Sequence, residues 1–314
     1  MKKLGIGVIG TGFWGKNHVR VYKELKGAEL KAISDTNEAT AKAIAEKYGV
    51  DWYTSNQRLL ERDDIDAVSI CTPTIFHTEH ALEAIECGKH LLIEKPISKT
   101  SDEGKAILKA AQKKGLHVMV GFIERFNPAV QKLRNMVHEG TTGEVVLIVA
   151  KRVGRWPERI GDIGVVKDTA IHDLDVIRFV LGETPSTVYA RVGSYRHKLE
   201  DYAEILLGFK SKKTGFVEAN WLTPHKVRTL IVTGSEKIVT IDYITQQLTV
   251  EGLEEIVQPK LKWEEPLTAE LEHFVESLRI DQEPAVTALD GIKALEIAEA
   301  ALASGEKNQI VTVG

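Results

Sequence analysis

Cysteine is nearly absent: Cys71 and Cys87 are the only two among 314 residues. That is too few for a disulfide framework or a zinc cluster, and both read as buried, inert thiols. Long hydrophobic runs are missing as well. The longest near the N-terminus covers residues 4–9, far short of the ~20 residues that a membrane span needs. No signal-peptide cleavage site is visible, so a cytoplasmic protein is expected. Basic excess is lacking too: the formal net charge is -4 and the pI about 6.2, which argues against nucleic-acid and anionic-membrane partners. No internal repeat, low-complexity segment or Gly, Pro or Ser-rich linker interrupts the chain. What is present is ordinary for a globular protein, 43% hydrophobic and 27% charged, in a length that suits two domains of roughly 100 to 200 residues.

Short apolar runs at 4–9, 30–34, 67–71, 90–93 and 118–122 alternate with stretches of helical spacing such as 39–48, 80–87 and 103–114. Glycines 49, 88 and 115 stand where left-handed helix caps belong, and Thr100 with Glu103 fits a capping box. Strands regularly separated by helices predict parallel βαβ units, because parallel strands need a long crossover. Beyond about residue 145 the rhythm changes to strands joined by short turns, with hairpins at 211–214 and 234–236. The expected fold is therefore α/β: an N-terminal Rossmann doubly wound parallel sheet over 1–122, then a C-terminal α+β domain over 123–314 with a large open, mostly antiparallel sheet. Helices near 173–181 and 269–280 are expected to cover one face of that second sheet.

The first strand runs directly into Gly10-Thr11-Gly12-Phe13-Trp14-Gly15, with helical residues following. In that strand-to-helix context the glycines have distinct tasks: a tight turn at Gly10, close approach of a pyrophosphate at Gly12, and close helix packing at Gly15. The helix N-terminus would offer N–H groups to the phosphates. Asp35 ends the second strand, where a carboxylate accepts the ribose hydroxyls, and no Arg or Lys stands beside it to receive a 2'-phosphate. NAD is therefore expected over NADP. The loops Cys71-Thr72-Pro73-Thr74 and Glu94-Lys95-Pro96 follow the third and fourth of the apolar runs and should face the nicotinamide half of the cofactor. Phe13, Trp14, Thr72, Pro73, Glu94 and Lys95 accordingly join the cofactor-binding set. His77 and His80 suggest either a helix face or a cofactor-adjacent edge, and His77 is assigned to the cofactor; as zinc ligands they lack company.

Further on stands Asp168-Thr169-Ala170-Ile171-His172-Asp173-Leu174-Asp175. If the helix reaches back to Asp168, that residue and His172 share a face one turn apart, and Asp175 also lies one turn from His172. Oxidation of a carbinol carbon requires the hydroxyl proton to leave with the hydride, and imidazole suits that exchange near neutral pH. His172 is the expected base, Asp168 its orienting carboxylate, and Lys95 the ammonium that stabilises the developing alkoxide. No metal is called for.

With the glycine fingerprint, Glu94-Lys95-Pro96 and the Asp168, His172, Asp175 pattern in place, the chain resembles the GFO/IDH/MocA family of sugar and inositol oxidoreductases over essentially its whole length. The resemblance implies Lys95, Asp168 and His172 as the catalytic set. It also implies a six-stranded parallel sheet, a homodimer or homotetramer built on the open sheet, and a final helix near 290–304 packing back on the Rossmann domain. The family's glycine-rich stretch before the aspartate is replaced here by Ile163-Gly164-Val165-Val166-Lys167. Together with 121–128 and 152–159, that segment is similar to the subgroup of UDP-N-acetylglucosamine 3-dehydrogenases. Arg125, Asn127, Arg152 and Arg155, with Arg159 adjoining, are the substrate-binding residues so implied, guanidinium groups being suited to a diphosphate. Three functions stay open: oxidation of a UDP-N-acetyl amino sugar at C3, turnover of myo-inositol or a free sugar, and non-catalytic regulation by NAD binding.

Overall fold

The computed structural model describes residues 3–157 and 161–313, so Glu158 and Arg159 of the basic loop lie outside the described residues. The chain divides into two compact units, 1–122 with 267–292, and 123–266 with 293–314.

In the first unit, strands β1 (Leu4–Ile9), β2 (Ala28–Ser34), β3 (Asp51–Tyr53), β4 (Ala67–Ile70), β5 (His90–Glu94) and β6 (Val118–Gly121) alternate with helices α1 (Gly15–Glu24), α2 (Glu38–Tyr48), α3 (Asn56–Leu60), α4 (His77–Glu86) and α5 (Ser101–Lys114). The sheet order is β3-β2-β1-β4-β5-β6 with every pair parallel. β4 and β6 are buried along their whole length, as strands covered on both faces require. Gly49 and Gly115 end α2 and α5 in the left-handed conformation. The expected capping box is half made. Thr100 Oγ1 accepts from Glu103 N, whereas Glu103 Oε2 turns to Lys99 N and the Thr78 hydroxyl. Cys71 is half-buried and Cys87 is exposed, so the expectation of two buried thiols fails at Cys87, which caps α4 at the surface.

The second unit holds α6 (Pro128–His138), β7 (Val145–Arg155), α7 (Ile171–Leu181), β8 (Thr187–Gly193), β9 (Tyr202–Gly208), β10 (Thr214–Asn220), β11 (Leu222–Gly234), β12 (Ile238–Asp242), β13 (Gln247–Glu251) and β14 (Ile256–Val257). The later helices α8 (Pro266–Arg279) and α9 (Ala288–Lys307) precede the last strand, β15 (Val311–Thr312). The nine-stranded order is β14-β13-β12-β11-β7-β10-β9-β8-β15. Of its pairs only β10 with β7 is parallel, so the sheet is mixed but mainly antiparallel. α7 covers one face through Leu174, Ile177 and Val180, with Ile177 packed beside Gly215 of β10.

Two helices depart from expectation. From Leu267 on, α8 belongs to the first unit, where Val275 and Arg279 lie over Gly27; it does not cover the second sheet. Helix α9, expected to return to the Rossmann domain, does so only up to Ile292. Its remainder sits in the second core through Ile297, Ala298 and Ala301, and Ser304 Oγ accepts from Ala190 N of β8 at 2.9 Å. An amphipathic repeat specifies that a helix has an apolar face, not which sheet receives it.

α8 also buries Glu270 completely, with neither carboxylate oxygen hydrogen-bonded. Burial, and secondarily the Glu94 charge, push this carboxyl well above its ordinary value of 4.5. The folded state thus favours the protonated acid. Its stability contribution is complete below pH 4.5 and is lost as pH rises toward the folded value. Glu270→Gln, neutral at every pH, is expected to melt above the wild type at pH 8, by about 2–4 °C for each kcal/mol recovered, with the gap closing at pH 4. Superimposable melting curves at pH 8 would show that the carboxyl carries no such cost.

Candidate active site

In the first unit the residues expected at the cofactor gather at the carboxyl ends of the parallel strands. Gly10 has a φ of +83°, which a side chain would strain. A Cβ at Gly15 would stand 1.8 Å from Gly10 O and 3.3 Å from Cys71 Cβ, so this glycine permits closure of the loop on itself as well as packing on β4. At Gly12 a Cβ would meet nothing within 4 Å. This is the open approach that a pyrophosphate needs. α1 has no side-chain cap and no acid in its first turn, in contrast to α2 and α5, which Asn37 and Thr100 cap. An N-terminus left this way suits a phosphate. Phe13 is exposed beside this loop, and Trp14, half-buried, packs edge-on against it at 5.7 Å. The residues present therefore fit a dinucleotide.

Asp35 is partly committed to the loop itself. Its Oδ2 accepts from Thr11 N and Thr11 Oγ1, both at 2.8 Å, and its Oδ1 from Asn37 N at 2.9 Å. A carboxylate has about four lone-pair directions, so acceptor capacity remains for ribose hydroxyls. Glu94, expected at the cofactor, faces inward: Oε1 meets His18 Nε2 at 3.1 Å and Oε2 accepts from Lys95 N at 3.2 Å. His77 is equally internal at 1% exposure, with Nδ1 at 2.8 Å from Pro96 O and Nε2 at 2.9 Å from Thr72 O. It clamps the Thr72-Pro73 loop to the Lys95-Pro96 loop, which places its action one layer behind the cofactor contact expected of it. Lys95 itself, joined to Pro96 by a cis peptide, is 8% exposed.

In the second unit, Val166–Ala170 form a π-helical turn that leads directly into α7. Wide turns of this kind recur at functional sites because they re-aim side chains without ending the helix. Asp168, buried at 7% exposure, lies on that turn, and His172, half-buried, opens α7. A chain of hydrogen bonds sets the carboxylate: Trp221 Nε1 donates to Thr169 Oγ1 at 2.8 Å, and the Thr169 hydroxyl donates to Asp168 Oδ2 at 3.1 Å.

The remaining acids of the motif have another task. Asp173 accepts from Arg152 at 2.7 and 3.1 Å, and Arg152 reaches Glu124 at 3.0 Å. Asp175 takes a bidentate pair from Arg125 at 2.7 and 2.6 Å. Asn127, fully buried, accepts from Ala129 N and donates to Glu124 and to Tyr243 O. Arg125, Arg152 and Asn127 were expected at the substrate; they are instead internal struts, because the carboxylates that follow His172 claim the guanidinium groups. Arg155 does reach the surface, with Nε donating to Pro224 O at 3.1 Å.

Arg228 belongs to no motif in the sequence. It stands opposite Arg152 across the β11–β7 ladder, and its ion pair reaches Glu124 at 3.7 Å, an oxygen that Arg152 already holds more closely. Burial, and then the neighbouring Arg152 charge, bring its pKa down to about 10; Asp168 is among the acids that act on it. Only the alternation of β11 pointed to it, with Arg228 on the same face as the buried Leu230 and Val232.

Residues 4–122 match the family described as "Oxidoreductase family, NAD-binding Rossmann fold", and residues 130–240 match the GFO/IDH/MocA C-terminal domain. Inositol 2-dehydrogenase of Rhizobium meliloti is 30% identical over 97% of this chain and 98% of its own. An uncharacterized oxidoreductase of Bacillus subtilis is likewise 30% identical, over 96% and 94%. Among solved structures, UDP-N-acetylglucosamine 3-dehydrogenase from Acidithiobacillus ferrooxidans superposes with a TM-score of 0.89 at 26% identity, covering 98% of this chain and 100% of that one. Matched along both units by family, and nearly end to end by these relatives, the chain belongs to the GFO/IDH/MocA oxidoreductases and takes NAD as its cofactor.

Proposed function

We propose that the chain oxidises a secondary ring hydroxyl of a sugar to the ketone. Bound NAD supplies the hydride acceptor. In this reading His172 takes the hydroxyl proton, imidazole being the side chain suited to general-base exchange with a hydroxyl. Asp168 orients the ring and balances its charge. Lys95 brings an ammonium group to the substrate oxygen, where negative charge develops as the proton leaves. The observation that carries the reading is the hydrogen-bond chain from Trp221 through Thr169 to Asp168, which holds the acid on the π turn that runs directly into the helix of His172. An acid held in a fixed orientation there, one turn before His172, is arranged to orient the imidazole.

The finer reading takes the substrate as a UDP-N-acetyl amino sugar oxidised at C3. Its support is the likeness to the Acidithiobacillus ferrooxidans enzyme at 26% identity. A second reading, a dehydrogenase of inositol or a free sugar, is favoured by the curated relatives, which include inositol dehydrogenases 28–30% identical to this chain. Reduced-cofactor absorbance with UDP-N-acetylglucosamine, myo-inositol and free hexoses in parallel separates the two.

Lys95→Ala and His172→Ala are each expected to lower kcat by about 10²–10⁴-fold, and wild-type turnover by either would remove that residue from the mechanism. Thr169→Val should lower kcat more than it raises KM, since it releases Asp168 without touching the cofactor. Asp35→Ala is expected to raise the ratio of NADP to NAD efficiency by about tenfold or more, the worth of one hydrogen bond to a charged group; an unchanged ratio would show that Asp35 serves only the loop.

A further inference from the structure

The second unit contains a cavity of about 520 Å³ lined by Arg155, Trp156, Arg196, His197, Trp221 and the 222–224 segment. Its walls are aromatic. Trp156 stacks on His197 with centroids 3.4 Å apart, and Trp156 meets Trp221 at 4.6 Å in a perpendicular corner. Its charge is of one sign: two guanidinium groups line it and, among the described residues, no carboxylate does.

The cavity is also built rather than incidental. Asp201 is fully buried, and its carboxylate accepts from Tyr195 N at 2.9 Å and Arg196 N at 2.7 Å, fixing the loop that carries Arg196 and His197. The backbone carbonyl of the same residue accepts from Trp221 N at 2.9 Å. One buried aspartate therefore ties two segments of the lining together. Trp221 continues the connection, since its indole N–H reaches Asp168 through Thr169. Whatever fills the cavity lies two hydrogen bonds from the acid assigned to catalysis.

We infer that this cavity is the subsite for the nucleoside diphosphate portion of the substrate, the base against the tryptophans and the phosphates on Arg155 and Arg196. The inference rests on the reaction proposed above and names where the non-reacting part of its substrate goes. A neutral sugar would use the aromatic walls but leave the two guanidinium groups unused. Free phosphate would use the guanidinium groups but not the walls. A flat ring carrying a diphosphate uses both, through stacking and through paired N–H donors.

The test is calorimetric binding of UDP to the NAD-loaded full chain, with uridine alone as a second ligand. UDP is expected to bind more tightly than uridine. Trp156→Ala and Arg196→Ala should each weaken UDP by about tenfold, the scale of a lost base stack or phosphate contact. Arg196 sits on an exposed loop, so its variant keeps the test alive should the tryptophan variant fail to fold. The subsite is overturned if UDP does not bind the wild type, or if the folded variants bind it as the wild type does. NADH formation from UDP-N-acetylglucosamine is read separately. Turnover with unaffected variants would remove the subsite and leave the reaction standing. UDP binding lost in the variants, with no UDP-sugar oxidised, would keep the subsite and remove the reaction.

Discussion

The position of His172 depends on a lattice of buried charge. Arg152 joins β7 to α7 through Asp173 and to the 123–126 turn through Glu124, while Arg125 joins that turn to α7 through Asp175. Both arginines also lie over aromatic rings, Arg152 over Tyr243 at 4.8 Å and Arg125 over Phe179 at 4.9 Å. Ion pairs of this kind contribute little net stability compared with an apolar core, yet losing one partner leaves an uncompensated buried charge, at a cost of about 3–5 kcal/mol. Their value is geometric. With two successive acids of α7 each held by a planar fork, the first turn of the helix can neither rotate nor slide, and the imidazole beside them inherits that fixity.

The cofactor loop solves the same problem with backbone instead of charge. Gly15 closes on Gly10, Asp35 holds Thr11, and His77 binds the two following loops through their carbonyl oxygens. Each contact removes freedom from a segment that would otherwise have to be ordered when the dinucleotide arrives, and such ordering is a standing cost of association.

How much of this was legible depended on the range of the signal. Runs of apolar residues separated by helical spacing disclosed the parallel sheet, and the glycine fingerprint disclosed its loop, because both are local patterns read along a few residues. β3, β14 and β15 left no trace, since two or three residues cannot display a period. The fates of α8 and α9 were hidden for another reason: which sheet accepts an apolar face is decided by chain topology, not by the face. At the site, Asp168 and His172 could be named from spacing, but the partition of the neighbouring acids could not. Arg125 and Arg152 look like phosphate ligands as long as Asp173 and Asp175 are read as members of the motif rather than as their counter-ions. Asp201 was invisible for a similar reason, as a single acid whose partners are backbone N–H groups announces nothing in a string of letters.

The nine-stranded sheet ends on either side in a strand of two residues, β14 at one margin and β15 at the other. Long margins invite a neighbouring polypeptide to add itself by copying the ladder, the route by which sheets seed fibres. Here each margin is interrupted: β14 covers only Val250 and Glu251 of β13, β15 covers only Thr187 and Val188 of β8, and Ser304 Oγ takes Ala190 N further along, so neither side presents a long continuous ladder to copy.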